Sequence, residues 1–470
     1  MTTLRQTLER LPIGIRHALM EELQALNGRA SAEAEFPSDD LLLAALKSLL
    51  APERPKRRRV VITGLGAITP VGNTAPATWE ALAAGRSGIA AVTQFDATPF
   101  ASRIAGEVKN FDPTIRIAHK EAKRMARCSQ LAVVAAWEAL EDAGLSPDRL
   151  DSERAGVVMG TGVGGLDLFG AMIRQSLTSG DGRMRSRPLE TINGLANMPA
   201  FHISNTFGLR GPLNTVVTAC AAGTQAIGHA AESIRRGLVD VMFAGGVEAM
   251  INDLFFAGFE AMRAITTRND EPERASRPFD AQRDGFVISE GTAVFVLEGL
   301  DHALRRGARI YAEVLGWSET ADAYHIAQPD PTGRGAALAM RTALADAGLT
   351  PDDVDYINAH AAGTPLGDAH ETHAIKEVFG PRAYQIPISS TKSMIGHLFG
   401  GAGAAEALAC VFSIHTGIIH PTINYEHPDP ECDLDYVPNV ARQQEVNVTL
   451  SNSFGLGGQN ASLILGKYRP

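Results

Sequence analysis

"ALEDAGLSPDRLD" occupies residues 139–151 and "ALADAGLTPDDVD" occupies residues 343–355, with nine of thirteen positions identical. Each copy reads as the end of an amphipathic helix, a glycine stop, a proline-containing turn and the approach to a strand. "GVVMGTGVGG" (156–165) follows the first copy and "YINAHAAGTPLGD" (356–368) follows the second. One supersecondary unit met twice in a chain marks an internal duplication. Apolar runs such as "AGVVMG" (155–160), "VDVMFAGG" (239–246), "GTAVFVLEG" (291–299), "RIYAEVLG" (309–316) and "ASLILG" (461–466) alternate with helical patterns, as buried strands covered by helices do. The expected fold class is therefore α/β, with two related halves at 59–305 and 306–470 and an active site where they meet.

Residues 1–58 have a different texture. Leu8, Leu11, Ile15, Leu19 and Leu23 recur at helical spacing, "GRASAEAEFPSDD" interrupts, and "LLLAALKSLL" resumes, which predicts two short helices and a linker as an N-terminal extension. The main body begins at "RVVITGLGAITPVG" (59–72), read as a buried strand followed by a glycine-rich turn. "RPKRRR" (54–59) is the only basic run and is expected to be a solvated junction.

The chain has 470 residues, of which 45% are hydrophobic and 20% charged, so it can bury a large core. Its net charge of −10 disfavours nucleic acid as a partner, because such binders concentrate positive charge. Four dispersed cysteines point to a reducing compartment, the N-terminus lacks an apolar core of signal-peptide length, and no apolar run is long enough to span a membrane. A cytoplasmic location is expected.

Cys220 stands in "NTVVTACAAGTQAIGHA" (214–230), between a β-branched run that reads as a buried strand and a helical one. The first turn of a helix offers free amide donors and the positive end of a dipole, which favour a thiolate and a neighbouring oxyanion. Ala219, Ala221, Ala222 and Gly223 leave room for a substrate. A thiol nucleophile needs proton management, and His360 lies in a loop of small residues just past a strand, where the first half carries "GTGVGG". Lys392 and His397 share the segment "SSTKSMIGHLFGGAGAAEA" (389–407), which opens another helix.

"VVTACAAGTQAIGHA", "NAHAAGTPLGD", "SSTKSMIGHLFGGAGAAEA" and "SNSFGLGGQNASL" resemble, in order and spacing, the signature blocks of elongating β-ketoacyl-acyl-carrier-protein synthases, closest to type II. "VVITGLGAITPVGN", "TTRNDEPERASRPFDAQRDGFVISEG" and "ECDLDYVP" support the likeness, which spans residues 59–470. It implies a thiolase-like fold of duplicated halves in five layers, α-β-α-β-α, a homodimer, an acyl carrier protein as partner, and neither cofactor nor metal. By the resemblance, Cys220 takes the acyl chain, and His360 and His397 stabilise the enolate formed when malonyl-carrier loses carbon dioxide. Amides of Cys220 and of the "GLGG" loop form the oxyanion hole. Lys392 orders the site through Asp368, Glu371 or Glu406. Thr364 bonds the pantetheine arm, Val163 lines the acyl pocket, and Phe454 and Leu456 contribute to substrate binding.

Two departures from the family pattern stand out. Ala362 and Gly363 replace hydroxyl residues, and Leu456 replaces the phenylalanine that closes over the acyl-cysteine, which predicts altered acyl selectivity. A thiolase would carry a second cysteine in "FGLGGQNAS", and a non-catalytic chain-length partner would lack the nucleophile. "GTGVGG" lacks the second strand and acidic residue of a dinucleotide site, and "HETH" (370–373) lacks further metal ligands.

Overall fold

The computed structural model describes residues 57–179, 183 and 186–470, so the helices expected within residues 1–58 lie outside the described residues. Arg58–Pro470 form a compact unit. Its main sheet contains β1 (Val60–Ile68), β2 (Ala155–Gly160), β3 (Leu213–Val216), β4 (Val241–Glu248), β5 (Gly291–Gly299), β6 (Ala312–Ala321), β7 (Tyr356–Asn358), β8 (Ile388–Ser389), β9 (Val448–Gly455) and β10 (Gln459–Gly466). The principal helices are α1 (Arg127–Asp142), α2 (Met198–Phe207), α3 (Ala222–Arg235), α4 (Arg334–Ala347), α5 (Pro365–Phe379) and α6 (Ala402–Thr416).

The strand order is β8-β7-β9-β10-β6-β1-β5-β4-β2-β3. From the centre outwards, β1 pairs antiparallel with β5 and β5 with β4, then β4 runs parallel to β2 and β2 to β3. The other wing repeats this order and these directions with β6, β10, β9, β7 and β8. The wings meet at Val61↔Glu313 and Ile62↔Ala312. Both copies of the sequence repeat do the same structural work. α1 and α4 are each followed by a left-handed glycine (Gly144, φ +67°; Gly348, φ +69°), a 3₁₀ turn begun by proline, and the approach to β2 or β7.

α1 and α2 cover the outer face of one wing and α4 and α5 that of the other, while α3 and α6 lie between the wings and touch both. This gives five layers, α-β-α-β-α, with three large apolar clusters: one around α3 and α6, one under α1 and one under α4 and α5. Among the described residues no helix is long and apolar enough to cross a membrane.

Three local expectations needed correction. The glycines of "ITGLG" lie inside β1 rather than in a turn, because α1 crosses the strand there. A Cβ on Gly64 would fall 2.1 Å from the carbonyl oxygen of Ala139, and one on Gly66 2.0 Å from that of Ala135. β3 is an edge strand rather than a buried one, and Leu213 and Val217 are about half exposed. Two arginines of the basic run are engaged rather than solvated: Arg58 pairs with Asp240 at 2.7 Å, and Arg59 grips both carboxylate oxygens of Glu313 at 2.8 and 2.7 Å.

α3 and α6 approach closely because small residues line their crossing. A Cβ on Gly223 would meet Ala404 N and Gly400 O, both at 2.9 Å, and both are backbone atoms that cannot turn aside. Gly223→Val should therefore lower stability by about 1–3 kcal/mol through overpacking. Chemical denaturation should show a lower midpoint with an unchanged slope.

Candidate active site

β3 ends at Val216, and the chain reaches α3 through a 3₁₀ turn at Ala219–Ala221. Ala219 adopts φ +50°, a conformation that costs a residue with a side chain of order 1–3 kcal/mol and persists only where its surroundings impose it. The bend holds Cys220, 4% exposed, at the mouth of α3. Its Sγ lies 3.0 Å from His397 Nε2 and accepts from the Leu456 amide. Burial pushes the thiol up to about 12, opposed by the charge of Lys392 and the Leu456 amide. The expected preference for thiolate at a helix start is thus outweighed by desolvation, and the resting group is a thiol.

His397 and His360 are held as hydrogen-bond donors. The Phe399 amide donates to His397 Nδ1 at 3.2 Å, which leaves the ring proton on Nε2, facing Cys220. Phe399 reaches this position with φ +46°, and its ring stacks on the imidazole at 4.5 Å. On the other side, the Lys392 ammonium donates to the carbonyl oxygen of His360 at 2.5 Å and to its Nδ1 at 3.4 Å, again leaving the proton on Nε2. The two rings are 5.5 Å apart at 82°. Burial first, and then the Lys392 charge, hold both histidines well below their usual range, so they are neutral near pH 7.

The three candidate carboxylates have separate tasks. Glu406 is the ion-pair partner of Lys392, and both side chains are 1% exposed. Glu371 instead accepts from the amides of His360 (2.9 Å) and Ala361 (2.7 Å), with Asn452 Nδ2 at 3.1 Å, and so fixes the His360 loop. Asp368 accepts from Phe279 N and Gly363 N, and its nearest cation is Arg283, 3.9 Å away.

Cys220, His360, His397, Phe399, Thr364, Phe454 and Leu456 line one cavity of about 510 Å³. The Phe454 ring centre is 5.7 Å from that of His360. Thr364 caps α5 by accepting from Gly367 N at 3.2 Å, which leaves its hydroxyl proton available to a ligand. Gly363 has φ +82°, so the glycine that departs from the family pattern suits a left-handed turn. Leu456 is 37% exposed, and its loop is tied down where Gly457 N donates to Ile326 O and Asn460 Nδ2 to Asp322 Oδ1. Val163 is not part of this cavity lining. It belongs to an apolar cluster with Cys220, Ile251, Phe256 and Phe399. "HETH" lies within α5, and His373 is exposed.

Sequence inspection missed Phe399 and Glu248. Glu248 ends β4, is fully buried, and accepts from Thr161 Oγ1, Gly162 N and Gly400 N. Burial raises its carboxyl to about 7 against these donors. The available signal was a lone acid at the end of the apolar run "VMFAGGVEAM".

Residues 57–303 match the model of the beta-ketoacyl synthase N-terminal domain, and residues 311–426 match that of the C-terminal domain. A 3-oxoacyl-[acyl-carrier-protein] synthase 2 of Synechocystis sp. is 50% identical over 414 residues, covering 88% of this chain and 99% of the relative. That of Coxiella burnetii is 45% identical over 412 residues, with the same coverage. The ishigamide ketosynthase/chain length factor superposes with a TM-score of 0.83 at 38% identity, covering 88% of this chain and all of the other. A type II PKS ketosynthase, solved bound to a hexaketide and in complex with its acyl-carrier protein, gives 0.82 at 33% identity with the same coverage. A thiol and two neutral imidazoles around one cavity, on a sheet that repeats itself, thus accompany a match along most of the chain: it belongs to the beta-ketoacyl synthase family of condensing acyltransferases.

Proposed function

We propose that the protein elongates an acyl chain by decarboxylative Claisen condensation with malonyl-carrier, in fatty acid or polyketide synthesis. The observation that carries this is the pair of neutral Nε2–H donors beside the Cys220 thiol. In the first step the Cys220 sulfur forms a bond to the acyl carbonyl carbon, the bond to the carrier sulfur breaks, and the carrier thiolate takes up the proton that Cys220 releases. In the second, the bond between the malonyl carboxylate and the α-carbon breaks, carbon dioxide leaves, and the electron pair delocalises onto the thioester oxygen. Charge develops there only as the reaction proceeds, so donors fixed beforehand lower the barrier more than they stabilise bound substrate. The α-carbon then attacks the acyl-Cys220 carbonyl, whose oxyanion is held by the Cys220 and Leu456 amides. Collapse expels the sulfur as a thiolate, which takes one proton from solvent to restore the Cys220 thiol, and leaves a β-ketoacyl-carrier.

Lys392 and Glu371 act as positioning residues for His360. Phe454 and Leu456 bound the acyl entrance, the Thr364 hydroxyl contacts the pantetheine arm, and Val163, which packs in the apolar cluster with Cys220 outside the open cavity, bounds the bound acyl chain. The chemistry uses residues from both proposed halves, 59–305 and 306–470. The exposed edge strand β3, with Leu213 and the following Val217 uncovered, supports a homodimer through that edge, and the proposed location is the cytoplasm.

Cys220→Ala should abolish condensation, while Cys220→Gln should retain malonyl decarboxylation. Condensation surviving in either would overturn the nucleophile. Intact mass spectrometry with acyl-carriers of graded length should show one acyl increment, lost in Cys220→Ala. His360→Ala should cut decarboxylation by about 10²–10³-fold while acylation of Cys220 falls much less; equal losses would contradict its role. Leu456→Phe should shift the acyl-length profile towards shorter chains, read in the same mass assay.

A further inference from the structure

Glu248 is fully buried, and among the described residues no lysine or arginine forms an ion pair with it. A buried carboxylate without a cation is costly unless its oxygens are satisfied by donors. Here the donors come from two places in the chain. Thr161 Oγ1 (3.0 Å), Gly162 N (2.6 Å) and Val163 N (3.4 Å) come from the loop after β2, and Gly400 N (3.2 Å) comes from the turn after His397. The two loops touch through bare backbone: a Cβ on Gly400 would lie 2.4 Å from Gly162 N, and one on Gly162 would lie 2.7 Å from Glu248 Oε2. The carboxylate sits where the segment carrying Val163 meets the segment carrying His397.

We infer that Glu248 is a positioning residue that locks the Val163 loop to the His397 segment, so that the acyl-chain wall and the enolate-stabilising imidazole hold one register. The Cys220 cluster includes Val163 and Phe399, and Phe399 in turn fixes the His397 ring, so a shift at Glu248 reaches both substrates. This rests on the proposed function, with Cys220 as the acylated group and Val163 bounding its acyl chain. Glu248→Gln keeps the shape but turns an N–H donor towards amides that also donate, whereas Glu248→Asp keeps an acceptor on a shorter arm.

The test combines acylation of Cys220 across chain lengths, followed by intact mass, with malonyl decarboxylation by the same samples and a thermal melt of each. Glu248→Gln should alter the chain-length profile and lower decarboxylation about tenfold, with Glu248→Asp recovering part of both. Thr161→Val, which removes one donor from the same carboxylate, should produce a smaller change of the same kind and remains informative if Glu248→Gln does not fold. A wild-type-like profile and decarboxylation rate in folded Glu248→Gln, or in Thr161→Val where Glu248→Gln does not fold, would overturn the role of Glu248. So would losses that merely track the folded fraction. Failure of the wild-type protein to gain acyl mass would instead overturn the assignment of Cys220.

Discussion

The close crossing of α3 and α6 is the constraint on which the site depends. Cys220 lies in the turn that leads into α3 and His397 a short way before α6, and in the repeated topology these helices follow, in chain order, the third strand of each wing, β3 and β8. Because Gly223, Gly400 and Ala404 allow backbone to meet backbone, the starts of the two helices are brought together, and with them a sulfur and an imidazole nitrogen 3.0 Å apart. A larger side chain at the crossing would separate the helices and with them the reacting groups. Packing and chemistry share one cause here.

Around that contact, charge is arranged to keep the imidazoles neutral and directional. A single ammonium, Lys392, buried against Glu406, donates to His360 and also disfavours protonation of both rings. A backbone amide performs the directional task for His397. The enzyme thereby has two N–H donors without two positive charges. Cationic imidazoles would add to the burden of a buried Lys392, whereas neutral donors add dipoles alone.

Much of this was legible in the sequence. The repeat at 139–151 and 343–355 led to the duplicated wings, and the small-residue loops around Cys220, His360 and His397 led to the groups that line one cavity. What was not legible depended on contacts far apart in the chain. Gly64 and Gly66 look like turn residues until α1 is laid across them. Asp368, Glu371 and Glu406 are equivalent candidates for Lys392 until the helices are placed, and then only Glu406 reaches it. Glu248 carries no local motif, because its partners are 85 to 152 residues away. The net effect of burial on Cys220 was hidden for the same reason: helix position favours thiolate, but the desolvation that opposes it comes from the assembled core.

Burial pushes the Cys220 thiol up to about 12, so at neutral pH the group rests protonated. Between turnovers the sulfur is chemically quiet. Peroxides and small electrophiles, which react with thiolates, meet a protonated group behind a 4% exposed surface. A molecule that is to modify this cysteine has to enter the cavity and be held beside the Leu456 amide, so shape governs covalent capture here more than intrinsic reactivity does. The same burial that makes the nucleophile slow to ionise protects it from damage while no substrate is bound.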